Sequence, residues 1–64
     1  MQVHPTAIVS HKARLANDVQ VGPCTIIGDN VVIGEGTKIH AHCVLFGNTT
    51  VGRGCEIFTG AIIG

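Results

Sequence analysis

Aliphatic residues recur at every sixth position along the whole chain. Counting by six from Val3 gives Val3, Val9, Leu15, Val21, Ile27, Ile33, Ile39, Leu45, Val51, Ile57 and Ile63, with no insertion or deletion. The fifth place of each hexad is small or β-branched: Ala7, Ala13, Val19, Thr25, Val31, Thr37, Cys43, Thr49, Cys55 and Ala61. A fixed six-residue period marks a β-helix built from hexapeptide repeats. The fifth residue of one hexad and the first of the next are two apart, so both point to the same side of a short strand. That side is the predicted core. A helical reading fails on the period, and nine glycines and two prolines disfavour it further.

Corners are expected between the strands, at the third and fourth places. Both prolines, Pro5 and Pro23, fall in third places, which suits the first central position of a type II turn. The second central position needs positive φ, and the predicted candidates are Asn30, Gly36, Asn48, Gly54 and Gly60, with Asp18 less suited. Three corners close one triangular turn, so the chain holds about three and a half coils. Stacking the coils predicts three internal columns: Val3, Val21, Ile39, Ile57; Val9, Ile27, Leu45, Ile63; and Leu15, Ile33, Val51. Repeat proteins normally cap their ends, and Gly64 falls part-way through a coil with no polar cap. The reading is therefore one all-β unit over residues 1–64, a truncated parallel β-helix.

Net charge is zero, and Lys12, Arg14, Lys38 and Arg53 are scattered. Nucleic acid wants a clustered basic face and often aromatic platforms, and only Phe46 and Phe58 are aromatic, so nucleic acid is excluded as a partner. No apolar run reaches membrane-spanning length and no signal-peptide pattern opens the chain. The three cysteines are odd in number and two fall in inward places, which points to reduced thiols and a cytoplasmic setting.

Four histidines invite chemistry. His40, His42 and Cys43 have a zinc-like spacing, but Cys43 is inward and its neighbours are outward, while a closed zinc site needs about four convergent ligands. Cys24 and His42 share a corner one coil apart, yet no third orienting group is in view. His4 and His11 have no carboxylate neighbour in sequence. The glycine-rich run from Gly22 to Gly36 precedes strands rather than a helix, so it is no phosphate loop. No metal ligand, cofactor site or catalytic residue is assigned, because no general base with a partner can be placed.

The outward positions differ from face to face. On one face the sixth places are Ile8, Ile26, Val44 and Ile62, with Ser10, Gly28, Phe46 and Gly64 beside them. The other two faces carry Arg14, Val32, Thr50 and Gln20, Lys38, Glu56. A contiguous outward apolar patch marks an interface, predicted here at Ile8, Ile26, Val44, Phe46 and Ile62.

The stretches VHPTAIV (3–9), VGPCTIIG (21–28), VVIGEGTKI (31–39) and VGRGCEIF (51–58) resemble the hexapeptide-repeat acyltransferases with left-handed parallel β-helices. Within that group they look like the UDP-N-acetylglucosamine O-acyltransferases that open lipid A synthesis. The resemblance covers essentially the whole chain and corresponds to about the first quarter of such an enzyme. It implies a left-handed coil, a homotrimer with its sites between subunits, and transfer of a 3-hydroxyacyl chain from acyl carrier protein to the sugar 3-hydroxyl by a histidine base. It also implies that the catalytic histidine, the sugar-nucleotide contacts, the acyl pocket and a C-terminal helical domain fall beyond the position matching Gly64. No residue of this chain matches a catalytic position. The expected role is structural and trimer-forming, without activity alone. Two alternatives stay open: a free-standing β-helical module, and part of another hexapeptide acyl- or acetyltransferase.

Overall fold

The computed structural model describes residues 1–64. Eleven two-residue strands, from β1 (Gln2–Val3) to β11 (Ile62–Ile63), recur every six residues and are built from sixth and first places. They form three parallel sheets with neighbours one coil apart. The first face pairs Val3 with Val21, Val21 with Ile39, and Ile39 with Ile57. The second pairs Val9, Ile27, Leu45 and Ile63 in turn, and the third Leu15, Ile33 and Val51. All three internal columns are those the hexad count predicts.

The core is the inside of this prism. Ile27, Ile33, Ile39 and Leu45 are sealed, as are Val19, Val31 and Cys43 from fifth places. Burying an aliphatic side chain of this size is worth about 1.5–3 kcal/mol. Thr25 and Thr37 are also fully buried, and each solves the cost of burying a hydroxyl in the same way. Thr25 Oγ1 donates to the His40 carbonyl at 2.8 Å and accepts from the Cys43 N–H at 3.4 Å. Thr37 Oγ1 donates to the Gly52 carbonyl at 2.8 Å and accepts from the Cys55 N–H at 3.3 Å. Cys43 Sγ repeats the motif on the Phe58 carbonyl at 3.2 Å. Every buried side-chain nitrogen and oxygen has a partner, as a stable interior requires.

Corners fall at third and fourth places, but the positive-φ residues differ from the expected set. Gly36, Gly54 and Gly60 adopt it as predicted, whereas Asp18, Asn30 and Asn48 do not. Instead Cys24 (φ 58°) and His42 (φ 57°) take it, and at Asn48 it moves back one place to Gly47. The reason is stacking between corners. Positive φ at the fourth place flips the turn's central peptide, and that peptide then bonds to its equivalent one coil away. His42 N–H donates to the Pro23 carbonyl at 2.9 Å, Gly54 N–H to Glu35 at 2.7 Å, and Gly60 N–H to Ala41 at 3.4 Å. This ladder imposes αL on Cys24 and His42 despite the steric penalty of about 1–2 kcal/mol.

The first coil turns differently. Its corners close with Ala7 N–H to His4, Ala13 N–H to Ser10 and Val19 N–H to Ala16 hydrogen bonds of 2.9–3.2 Å, without positive φ, the type I pattern. The flipped carbonyl is then missing beneath the second coil. Side chains replace it: Thr6 Oγ1 accepts from the Cys24 N–H at 3.0 Å and Asp18 Oδ1 from the Gly36 N–H at 2.8 Å.

Candidate functional site

Two outer faces carry residues beyond what the coil needs. On the second face, Ile8, Ile26, Val44 and Ile62 lie in one registered row. Ile8, Ile26 and Ile62 are 65%, 45% and 72% exposed, and Val44 is half-buried. Phe46 flanks the row, half its surface exposed, and its ring reaches over Gly64. The structure therefore brings the five predicted interface residues onto a single face, in contact order along the coil axis.

The first face is polar. Its sixth-place row is Gln2, Gln20, Lys38, Glu56. Beside it stand the second places His4, Gly22, His40 and Phe58. His40 Nε2 meets Glu56 Oε2 at 2.7 Å, and the His40 ring stacks on Phe58 at 5.2 Å between centroids and 20° between planes. An ionised carboxylate accepts only, so Nε2 is the donor in this bond. The sequence reading weighed His40 only as a metal ligand and placed no general base with a partner; the structure gives His40 a carboxylate. The pair is diagonal, sixteen residues apart, and linear sequence hides it. It is a half-exposed surface pair, a class worth about 0–1 kcal/mol.

The remaining candidates separate. Cys43 is buried against carbonyls, His40 is held by Glu56, and His42 sits on the corner, so the three do not converge. No group of three or more His, Cys, Asp or Glu residues could hold a metal ion. Cys24 is exposed, and its Sγ lies 3.9 Å from Thr6 Oγ1. His4 Nδ1 accepts from the Thr6 N–H at 3.2 Å and meets the Thr6 hydroxyl at 2.8 Å, a local turn contact. Gly22 does not bind an anion through its backbone; its N–H donates to the Ile39 carbonyl. A Cβ there would stand 2.7 Å from the His40 carbonyl carbon, so glycine is what lets the coils approach.

A family model described as the GMPPB C-terminal domain matches residues 3–64. The chain belongs to that family. Among individual proteins, it is 51% identical over 63 residues to the acyl-[acyl-carrier-protein]–UDP-N-acetylglucosamine O-acyltransferase of Psychrobacter sp. (strain PRwf-1), covering 98% of this chain and 24% of that protein. It is 48% identical to the enzyme of the same description from Syntrophobacter fumaroxidans, covering 100% and 25%. Among solved structures, the Arabidopsis UDP-N-acetylglucosamine acyltransferase superposes with a TM-score of 0.94 at 40% identity, over 97% of this chain and 22% of that one. LpxA from Acinetobacter baumannii gives 0.87 at 49% identity, over 92% and 23%. The coil is thus a left-handed parallel β-helix. The chain spans about a quarter of the length of the curated relatives it matches, and it is their N-terminal part that it resembles. No helix in it is long and apolar enough to cross a membrane.

Proposed function

We propose that this chain is the N-terminal β-helical segment of a UDP-N-acetylglucosamine 3-O-acyltransferase of lipid A biosynthesis, acting in the cytoplasm. In that role it starts the coil and supplies an interface of a homotrimer, and it transfers no acyl group by itself. The observation that carries this is the identity of 46–51% along 63 residues to O-acyltransferases of that description, against a family description that speaks of a different protein. Acyl carrier protein and UDP-N-acetylglucosamine are then partners of the whole enzyme. The His40–Glu56 pair does not make the segment catalytic. A histidine with an orienting carboxylate still needs a substrate proton within reach and donors aimed at the developing charge, and here both partners are a third to a half exposed to water, where electrostatic stabilisation is weak.

The trimer reading rests on the apolar row. Its members are registered, contiguous and exposed, and closed cyclic association is the usual way for a homo-oligomer to bury such a patch. A carboxylate at Val44 would be desolvated in every copy.

Replacing the matching quarter of the Psychrobacter enzyme with these 64 residues tests the proposal. The chimera should transfer acyl groups from acyl carrier protein to UDP-N-acetylglucosamine and sediment as a trimer, while the 64-residue chain alone forms no product. Val44→Glu in the chimera should dissociate it, and Thr50→Glu, on the third face, should not. An inactive chimera that is folded and trimeric contradicts the acyltransferase reading. A trimer indifferent to Val44→Glu contradicts the interface.

A further inference from the structure

Lys38 stands directly opposite Glu56 across the first sheet and opposite Gln20 on its other side. An opposed Lys–Glu pair ordinarily satisfies itself. Here the carboxylate goes diagonally to His40 instead, at 2.7 Å. The Lys38 ammonium itself makes no salt bridge. Neither Gln2 nor Gln20 spends its side-chain amide on the protein, and the same holds for the Thr59 hydroxyl; none takes part in any side-chain hydrogen bond. These uncommitted groups are not dispersed. Gln2, Gln20, Lys38, His40 and Thr59 line one cavity of about 410 Å³, floored by Gly22 and its neighbours. Gly22 makes the hollow, because the second-place side chain that would fill it between His4 and His40 is absent. Glu56, the carboxylate opposite Lys38, does not line the cavity and is hydrogen-bonded to His40.

We propose that this hollow is a binding site for a phosphate group, with Lys38 as the charge and Gln2, Gln20 and Thr59 as neutral donors. Several donors from different strands suit a tetrahedral oxyanion. A planar carboxylate is better served by the fork of an arginine, whereas lysine binds phosphate as a point charge. The site is on a different face from the apolar row and does not depend on the acyltransferase reading.

The test is a titration of the isotopically labelled chain with inorganic phosphate, followed by amide and side-chain NH₂ resonances at fixed pH and ionic strength. Saturable shifts are expected at Gln2, Gln20 and Gly22, with a dissociation constant of about 1 mM. Lys38→Gln should weaken binding by about tenfold or more, since the charge-assisted bonds go with it. Lys12→Gln, away from the hollow, should leave binding unchanged, and acetate should shift the same resonances less than phosphate does. Shifts that do not saturate, that survive Lys38→Gln, or that acetate reproduces in full would overturn the proposal.

Discussion

The first coil and the coils above it follow one hexad pattern, yet they reach different degrees of closure. Val3 remains 38% exposed and Val9 and Leu15 are half-buried, while Val21, Ile27, Ile33, Ile39 and Leu45 are at most 4% exposed. Fifth places show the same contrast: Ala7 and Ala13 below, sealed Val19, Thr25, Val31 and Thr37 above. Their corners differ as well. At two of their three corner columns the upper coils bond central peptide to central peptide, whereas the first coil presents Thr6 and Asp18 side chains to the coil above. Burial in a stacked fold depends on having a coil on both sides, and a hexad supplies only its own half of each contact. The first coil therefore behaves as a side-chain cap on a more fully buried middle.

The widest separation between the two regions should come from cavities. Ile27→Ala in the sealed region should cost about 2–5 kcal/mol. Val9→Ala, the position directly beneath it, should cost clearly less, about 1 kcal/mol, because its surroundings are already open to water. Urea unfolding of both variants measures the difference, and equal costs would erase the distinction between cap and middle.

A smaller effect is expected from the buried hydroxyls. Thr25→Val keeps shape but strips the His40 carbonyl of its donor and the Cys43 N–H of its acceptor, and leaving buried groups unpaired costs about 1–3 kcal/mol. The smallest effect belongs to the cap. Asp18→Ala removes one exposed bond to the Gly36 N–H, worth about 0.5–1.5 kcal/mol, and water can replace it. In an amide exchange experiment, Asp18→Ala should speed exchange at Gly36 while leaving Gly54, bonded to the Glu35 carbonyl, at its original rate.

Most of the fold was legible because a single period carries it. Eleven aliphatic first places set every strand, every registered pair and all three internal columns, and the outward apolar row is the same count shifted by one. The corners were legible only in part. Gly36, Gly54 and Gly60 have the conformational freedom that positive φ requires, but Cys24 and His42 do not advertise it. Their backbone is set by the coil-to-coil ladder, a tertiary constraint that overrides local preference. The His40–Glu56 contact escaped for a related reason. Two residues sixteen apart become diagonal neighbours only once the eighteen-residue coil is closed, and the straight pairing of Lys38 with Glu56 is the one that linear register suggests.

Core, corners and outer faces all depend on which way each strand residue points, and two adjacent residues test this most directly. Ile33 is 2% exposed and faces the core, whereas Val32 is 40% exposed and sits opposite Arg14 and Thr50. Ile33→Asp buries an unpaired carboxylate at a cost of several kcal/mol. Val32→Asp places the same group beside a cation on the surface and should cost no more than about 1 kcal/mol. Far-ultraviolet circular dichroism through a urea titration should show Ile33→Asp without its sheet signal before denaturant is added, and Val32→Asp unfolding close to the parent midpoint. Equal loss in both variants, or greater loss at Val32, would contradict the register on which the core, the corners and both outer faces depend.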